Sequence, residues 1–266
     1  IAKPPKTLDY IGKLPEIRLT SVAIVGTRRP SAYGKEVTHR LAYDLASRGI
    51  VIVSGLALGV DAIAHKAAIE AGGMTIAVLG NGLPKVQPSS NRQLADDIVK
   101  QGGAVISEYK RDEDARPHYF LERNRLVAGL ADAIIITEAA TRSGTLNTAA
   151  HALEQGKEIF VVPGNITSPL SAGCNALLKQ GARVVTDYRD VLDVIAPEST
   201  STQTILPLGQ NELESTIIAL ISKGTRDGEE LLAKSRAEPT EFATTLTMLE
   251  LSGTIRALGA NQWTLR

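Results

Sequence analysis

Val22-Ala-Ile-Val25 is an unbroken apolar run that stops at Gly26, passes through Thr27-Arg28-Arg29-Pro30 and gives way to a helix-period stretch near Tyr33. So short a run, with no polar residue in alternation, reads as a strand buried on both faces. The pattern recurs over 50–55, 74–80, 104–109, 132–138, 159–163 and 183–186. Between these segments lie helix-period stretches over 33–48, 58–71, about 91–101, 122–131, 145–155 and 173–179. Strand and helix in strict alternation predict an α/β fold: a mostly parallel sheet with helices on both faces.

Either side of this region the pattern changes. Residues 1–20, with Pro4-Pro5 and Pro15, read as an extended N-terminal lead-in to a domain over 21–196. Residues 197–207, rich in Pro, Ser and Thr, read as a linker. Beyond it, over 208–266, helices are expected at 211–223, 228–234 and 239–251, then two short strands turned at Gly259-Ala-Asn261. Three helices and a hairpin are the order of a small winged-helix-like domain.

Composition narrows the function classes. The 266 residues carry a net charge of zero, so any affinity for nucleic acid must come from a local patch. A lone cysteine, Cys174, rules out an intramolecular disulfide framework and suits a reducing, cytoplasmic setting. No apolar run approaches the roughly 18 residues of a membrane span. No His/Cys cluster has metal-ligand spacing. The chain opens on Ile1 rather than Met, as expected of a piece of a longer protein.

The chemistry lies in the loops that follow the strands: Gly26-Thr-Arg28, Ser54-Gly-Leu-Ala-Leu-Gly59, Gly80-Asn-Gly82, Glu138 with Ser143-Gly-Thr145, and Pro163-Gly-Asn165. A parallel sheet brings all five to one edge, the edge where open α/β sheets bind ligands. Helix N-termini there favour anions, and the planar fork of Arg28 matches phosphate oxygens. Glycines at 55 and 59 allow close backbone approach. Gly-x-Gly-x-x-Gly is absent after the first strand and no Walker A motif is present, so nicotinamide and P-loop readings are weak. His65 follows Asp61 by one helical turn; the pair is either catalytic or a helix-start hydrogen-bonding arrangement. Cys174 at a helix start is either activated or simply buried. Arg123-Asn124-Arg125 can face a ligand or be split between solvent and an ion pair. Glu108 and Glu138, at strand ends, can anchor an arginine or accept bonds from a base edge or ribose.

Taken together, Ile24-Val-Gly-Thr-Arg28, Ser54-Gly-Leu-Ala-Leu-Gly-Val-Asp-Ala-Ile-Ala-His65, Ile106-Ser-Glu108, Phe120-Leu-Glu-Arg-Asn-Arg125, Glu138 with Ser143-Gly144, and Pro163-Gly164 with Gly173-Cys-Asn175 resemble the DNA-processing protein A family, the DprA/Smf proteins of natural transformation. The resemblance spans about residues 4–195. It implies an extended Rossmann-like domain that binds single-stranded DNA without turnover, self-associates as a dimer near 174–186, and loads a RecA-type recombinase onto the DNA. It also implies the DNA contacts: Gly26, Thr27 and Arg28; Ser54, Gly55 and Gly59; Asn91 and Arg92; Arg123, Asn124 and Arg125; Ser143, Gly144 and Thr145. Asp61, His65, Glu108 and Glu138 would shape the site, with no cofactor and no metal. The chain departs from the family at Gln87, where an aromatic residue is usual, and at Leu121, where proline is usual. Members often carry an N-terminal helical domain, and this sequence begins just before the core.

Two other classes of function share such a sheet edge. Phosphoribohydrolases of similar layout use Pro-Gly-Gly-x-Gly-Thr-x-x-Glu; the comparable turn here, Glu138-Ala-Ala-Thr-Arg-Ser-Gly-Thr145, has neither that glycine pair nor the following Glu. A small-nucleotide sensor is the third class.

The expected winged-helix-like segment fails the electrostatic requirement of a duplex reader. Residues 207–266 hold six basic and eight acidic side chains, and its third helix has Glu241 and Glu250 but no Lys or Arg. Phosphate neutralisation comes first in duplex recognition. Residues 207–266, titrated with duplex DNA at near-physiological salt, are therefore expected not to bind; micromolar affinity would contradict this.

Overall fold

The computed structural model describes residues 1, 3–196, 211–222, 224–259 and 261–265. The expected linker, 197–207, lies outside the described residues. The chain separates into two compact units, Ile1–Thr200 and Ser201–Arg266.

In chain order the first unit comprises β1 (Asp9–Gly12), β2 (Ser21–Val25), α1 (Ala32–Ala46), β3 (Val51–Ser54), α2 (Val60–Glu70), β4 (Thr75–Val78), α3 (Arg92–Lys100), β5 (Ala104–Ser107), α4 (Pro117–Leu130), β6 (Ala133–Ile136), α5 (Gly144–Glu154), β7 (Glu158–Val161), α6 (Ala172–Lys179), β8 (Arg183–Val184) and α7 (Tyr188–Ile195). The strands form one sheet in the order β1-β5-β4-β3-β2-β6-β7-β8. All pair in parallel except β1, which runs antiparallel to β5. This is the α/β sheet with Rossmann-like strand order that the alternation and the resemblance predict.

The apolar runs are explained by burial on both faces. Val22 and Ile24 of β2 pack with α1, α2 and α7, while Ala23 and Val25 pack with α4, α5 and α6. On β6, Ala133 and Ile135 face the first group and Ile134 and Ile136 the second. The β2–β6 register pairs Val22 with Ala133 and Val25 with Ile136. An edge strand at Asp9–Gly12 lies inside the expected lead-in. Its residues are largely exposed, so it carries no buried-strand signature. Helix α7 was not anticipated; a reciprocal capping box of Asp187 and Asp190 starts it. Helix α4 begins at Pro117, five residues before the expected start at Glu122, because proline suits the first helical turn. That extension places Phe120 on the helix.

The second unit contains α8 (Glu212–Ser222), α9 (Gly228–Ser235), α10 (Pro239–Leu251) and a hairpin of β9 (Ile255–Gly259) and β10 (Gln262–Leu265). Ile217, Leu231, Phe242, Leu246 and Ile255 form its core. Asp227 caps α9, accepting from the N–H groups of Glu229 and Glu230. On α10 the hydroxyls of Thr244, Thr245 and Thr247 donate to the carbonyls of Thr240, Glu241 and Ala243. They are spent on their own helix.

Ile135, with no exposed surface, sits between Ile24 and Phe160 in the centre of the sheet. Ile135→Ala is expected to destabilise the first unit by about 3 kcal/mol, the cost of a cavity in a rigid core. Urea unfolding measures it, and a loss below about 1 kcal/mol would mean that this position collapses without strain.

Candidate functional site

The crossover from β5 to β6 carries the chain from one flank of the sheet to the other side of β2. The strand order therefore reverses between β2 and β6, and the loops after these two strands part there. Such a switch point opens a crevice at the carboxyl ends of the strands.

The two loops are fastened to each other. Thr27 N–H donates to the Glu138 carbonyl at 2.8 Å. The Glu138 carboxylate accepts from Ser31 N–H at 2.8 Å and from Ser31 Oγ at 2.6 Å. Ser31 Oγ in turn caps α1 by accepting from Gly34 N–H at 3.1 Å. Glu138 thus anchors the start of α1 to the end of β6 rather than holding an arginine or facing a base.

The β3–α2 loop packs beneath. Gly59 has φ +77, and a Cβ there would lie 2.5 Å from the Thr27 carbonyl oxygen. Val60 N–H donates to that same carbonyl at 3.2 Å. Only glycine permits both the backbone angle and the contact. Asp61, buried, accepts from Gly55 N–H at 3.1 Å and Ala57 N–H at 3.3 Å. Asn91 Nδ2 donates to the carbonyls of Leu56 at 2.8 Å and Ala57 at 3.2 Å. The loop's curvature is therefore held from both sides.

Arg123 lies at the bottom of this arrangement and is only 4% exposed. Its Nη1 donates to the Gly55 carbonyl at 2.6 Å and also to the Val78 carbonyl. A Cβ on Gly55 would lie 2.4 Å from that nitrogen, so Gly55 makes room for the guanidinium. Burial lowers the Arg123 pKa against the pull of Asp61, and burial raises Asp61 against the pull of Arg123.

Above Arg123 opens a cleft of about 330 Å3 lined by Gly26, Thr27, Arg28, Asp61, Phe120, Asn124, Arg142, Ser143, Gly144 and Thr145, among others. Ser143 caps α5, accepting from Thr145 N–H at 3.2 Å. Asn124 Nδ2 ties α4 to α5 through Asn147 Oδ1 at 3.2 Å. The Arg28 guanidinium lies 5.8 Å from the centre of the Phe120 ring. The cleft therefore joins two exposed arginines, the positive end of α5 and an aromatic face. Those features suit an anion attached to a flat ring system.

The structure sorts the sequence-expected residues. Gly26, Thr27, Arg28, Asn124, Ser143, Gly144 and Thr145 line the cleft. Ser54 is fully buried and donates to the Ile24 carbonyl at 2.6 Å, so its hydroxyl is a fold contact. Gly55, Gly59 and Asn91 shape the loop from behind. Arg123 contributes the floor, its Nη1 committed to two carbonyls while its buried Nε has no partner among the described residues. Arg125 is bonded to Glu108, the brace that one of the sequence alternatives foresaw. Arg92 begins α3 on the exposed surface. Phe120 and Arg142 were missed: the first belonged to a motif valued for its arginines, and the second sits in a turn valued for the Ser143-Gly-Thr145 that follows it. Cys174 is buried and its thiol is pushed up to about 11, chiefly by burial, which removes the activated reading. Among the described residues no cluster of His, Cys, Asp and Glu could hold a metal ion, and no helix is long and apolar enough to cross a membrane.

His65 does not pair with Asp61. The Thr75 hydroxyl spends its one proton on the Ile52 carbonyl at 2.7 Å, so His65 Nδ1, 2.7 Å from Thr75 Oγ1, is the donor. Nε2 is then the unprotonated nitrogen, buried without a partner among the described residues. Burial, reinforced by repulsion from Arg123, lowers the His65 pKa to about 3.

Residues 1–196 match the family described as DNA recombination-mediator protein A. The chain belongs to this family. Protein Smf of Escherichia coli is 37% identical over 98% of this chain and 72% of its own length. DNA processing protein DprA of Streptococcus pneumoniae is 42% identical over 71% of this chain and 66% of its own. This chain thus spans about two thirds to three quarters of the length of these family members. The solved structure of the pneumococcal protein superimposes with a TM-score of 0.67 over 71% of this chain and 66% of that one, at 42% identity. DNA processing protein A of Helicobacter pylori, solved for its single-stranded DNA binding mode, superimposes with a TM-score of 0.68 at 36% identity, covering 74% of this chain and 90% of that one.

The buried imidazole makes stability depend on pH. An ordinary histidine titrates at 6.5, and His65 in the fold at about 3. Between these values the unfolded chain binds a proton that the folded chain refuses. Stability is therefore full above the unfolded pKa and falls as the pH drops, by up to about 1.4 kcal/mol per pH unit. His65→Asn is expected to flatten the dependence over that window, read from urea unfolding at a series of pH values. An unchanged slope would show that His65 does not carry it.

Proposed function

We propose that the cleft between β2 and β6 binds single-stranded DNA, seating a phosphate between Arg28 and the N-terminus of α5 and an adjoining base against Phe120. The carrying observation is that Arg28 serves both halves, since it lines the anion end of the cleft and lies over the Phe120 ring. Stacking on the half-buried Phe120 ring needs an unpaired base, which favours single strands over duplex. Family membership supports the reading, as does the single-stranded DNA binding mode described for the Helicobacter pylori relative. Arg142, exposed at the lip, adds a second phosphate contact. The roles the family implies belong to the same proposal: a cytoplasmic protein that self-associates, protects incoming DNA in transformation and hands it to a RecA-type recombinase.

The proposal is binding without turnover. Asp61 is the carboxylate lining the cleft, and backbone N–H groups of Gly55 and Ala57 hold it in the loop. A hydrolase of nucleoside phosphates needs a carboxylate free to activate water or protonate a base.

Arg28→Ala is expected to weaken binding of an oligothymidylate strongly, with unchanged circular dichroism, and to lower the salt slope by about 0.7, the share of one single-strand phosphate. Arg28→Lys should restore only part of the affinity, because a point charge replaces a planar fork. Fluorescence anisotropy across a salt series measures both. Unchanged affinity and slope in Arg28→Ala would refute the proposal.

A further inference from the structure

Arg28 also borders a second depression on its other side. This groove, of about 530 Å3, runs between the N-terminal parts of α1 and α2 and is lined by Arg29, Lys35, Leu58, Ile63 and Lys66 among others. No carboxylate lines it. Arg29, Lys35 and Lys66 are all exposed, as is Arg92 next to Asn91 at its margin.

The cations on these two helices fall into two groups. Toward the C-terminal end of α1, Arg40 and Arg48 both approach Asp44. His39 pairs with Glu70, the carboxylate one turn beyond Lys66 on α2. Around the groove, by contrast, Arg28, Arg29, Lys35 and Lys66 have no carboxylate within 4.0 Å among the described residues. On a chain of zero net charge, four neighbouring uncompensated cations make a local positive field that an anionic polymer would neutralise.

We propose that this groove is a second phosphate-binding subsite, through which a single strand seated in the cleft continues past Arg28. The inference rests on the cleft reading of the preceding subsection and extends it. Arg28 lies between the two depressions, so one backbone follows Arg28, then Arg29 with Lys35, then Lys66. Leu58, 46% exposed at the groove wall, offers a base an apolar contact. The cleft holds the strand by stacking and by phosphate contacts at Arg28 and Arg142; the groove holds it chiefly by charge, with Leu58 as an apolar wall. Short strands therefore use the cleft, and only longer ones gain from the groove.

The test uses the full chain and oligothymidylates of about four and about twelve nucleotides, lengths within the range of single-strand sites. Lys35 and Lys66 are exposed, so Lys35→Ala/Lys66→Ala leaves the fold intact, checked by circular dichroism. The double variant is expected to bind the longer strand about five- to tenfold more weakly near 0.15 M salt, with a salt slope smaller by about 1.4, the share of two phosphates. Binding of the shorter strand should stay within about twofold, and Lys35→Arg/Lys66→Arg should retain the longer-strand affinity. If the double variant binds both lengths as the parent does while Arg28→Ala weakens both, the groove proposal is overturned and the cleft reading stands. If Arg28→Ala also changes nothing, the cleft reading itself fails. Equal weakening of both lengths by the double variant contradicts a separate subsite. Polyglutamate is the competitor: if the double variant loses polyglutamate binding but keeps the longer strand, the groove serves an acidic protein surface and the proposal is overturned.

Discussion

A buried guanidinium holds the candidate site together. Arg123 reaches from α4 under the sheet edge and donates to carbonyls at the ends of β3 and β4. Asp61 faces it from the start of α2 while gripping the N–H groups of the same loop. A buried cation with fixed acceptors on two strands and a carboxylate nearby is expensive to disturb. Arg123 and Asp61 therefore fix where the β3–α2 loop can run. That loop supports Thr27 through Gly59 and Val60, and Thr27 is tied to Glu138 across the switch point. The cleft is shaped by committed polar groups, and its exposed cations, Arg28 and Arg142, are left for a ligand.

How much of this was legible in the sequence depended on the kind of signal. The central strands were plain, because residues buried on both faces leave an unbroken apolar run such as Ala133-Ile-Ile-Ile136. The edge strand Asp9–Gly12 left no such run, since an edge strand packs little of its surface. Loops with glycine and polar turns pointed to the sheet edge at which the cleft opens. Their sequence did not say which polar residues face outward. Ser54 and Arg123 are of the residue types that bind phosphate, yet the Ser54 hydroxyl and Arg123 Nη1 both donate to backbone carbonyls, a choice made by tertiary packing. Phe120 was harder to read. Its place at the cleft follows from α4 starting at Pro117, and its partner Arg28 lies 92 positions earlier in the chain.

Charge follows the same logic at a larger scale. A net charge of zero conceals an uneven surface. Away from the sheet edge, basic residues meet acidic ones, as at Arg40 and Asp44 or Arg183 and Glu158. Around Arg28 they do not. In the second unit acidic residues predominate, and the threonines of α10 are bonded to their own helix. Under this account the first unit holds the nucleic acid, and the second is not a duplex reader.

The central claim is that Arg28, the N-terminus of α5 and Phe120 together receive a nucleotide of a single strand. A crystal structure of the chain with a short oligothymidylate tests it most directly. The account predicts a phosphate within hydrogen-bonding distance of the Arg28 guanidinium and of a backbone N–H at Gly144 or Thr145, with a thymine ring against Phe120. A strand ordered elsewhere on the protein, with the cleft holding no nucleotide, would contradict it.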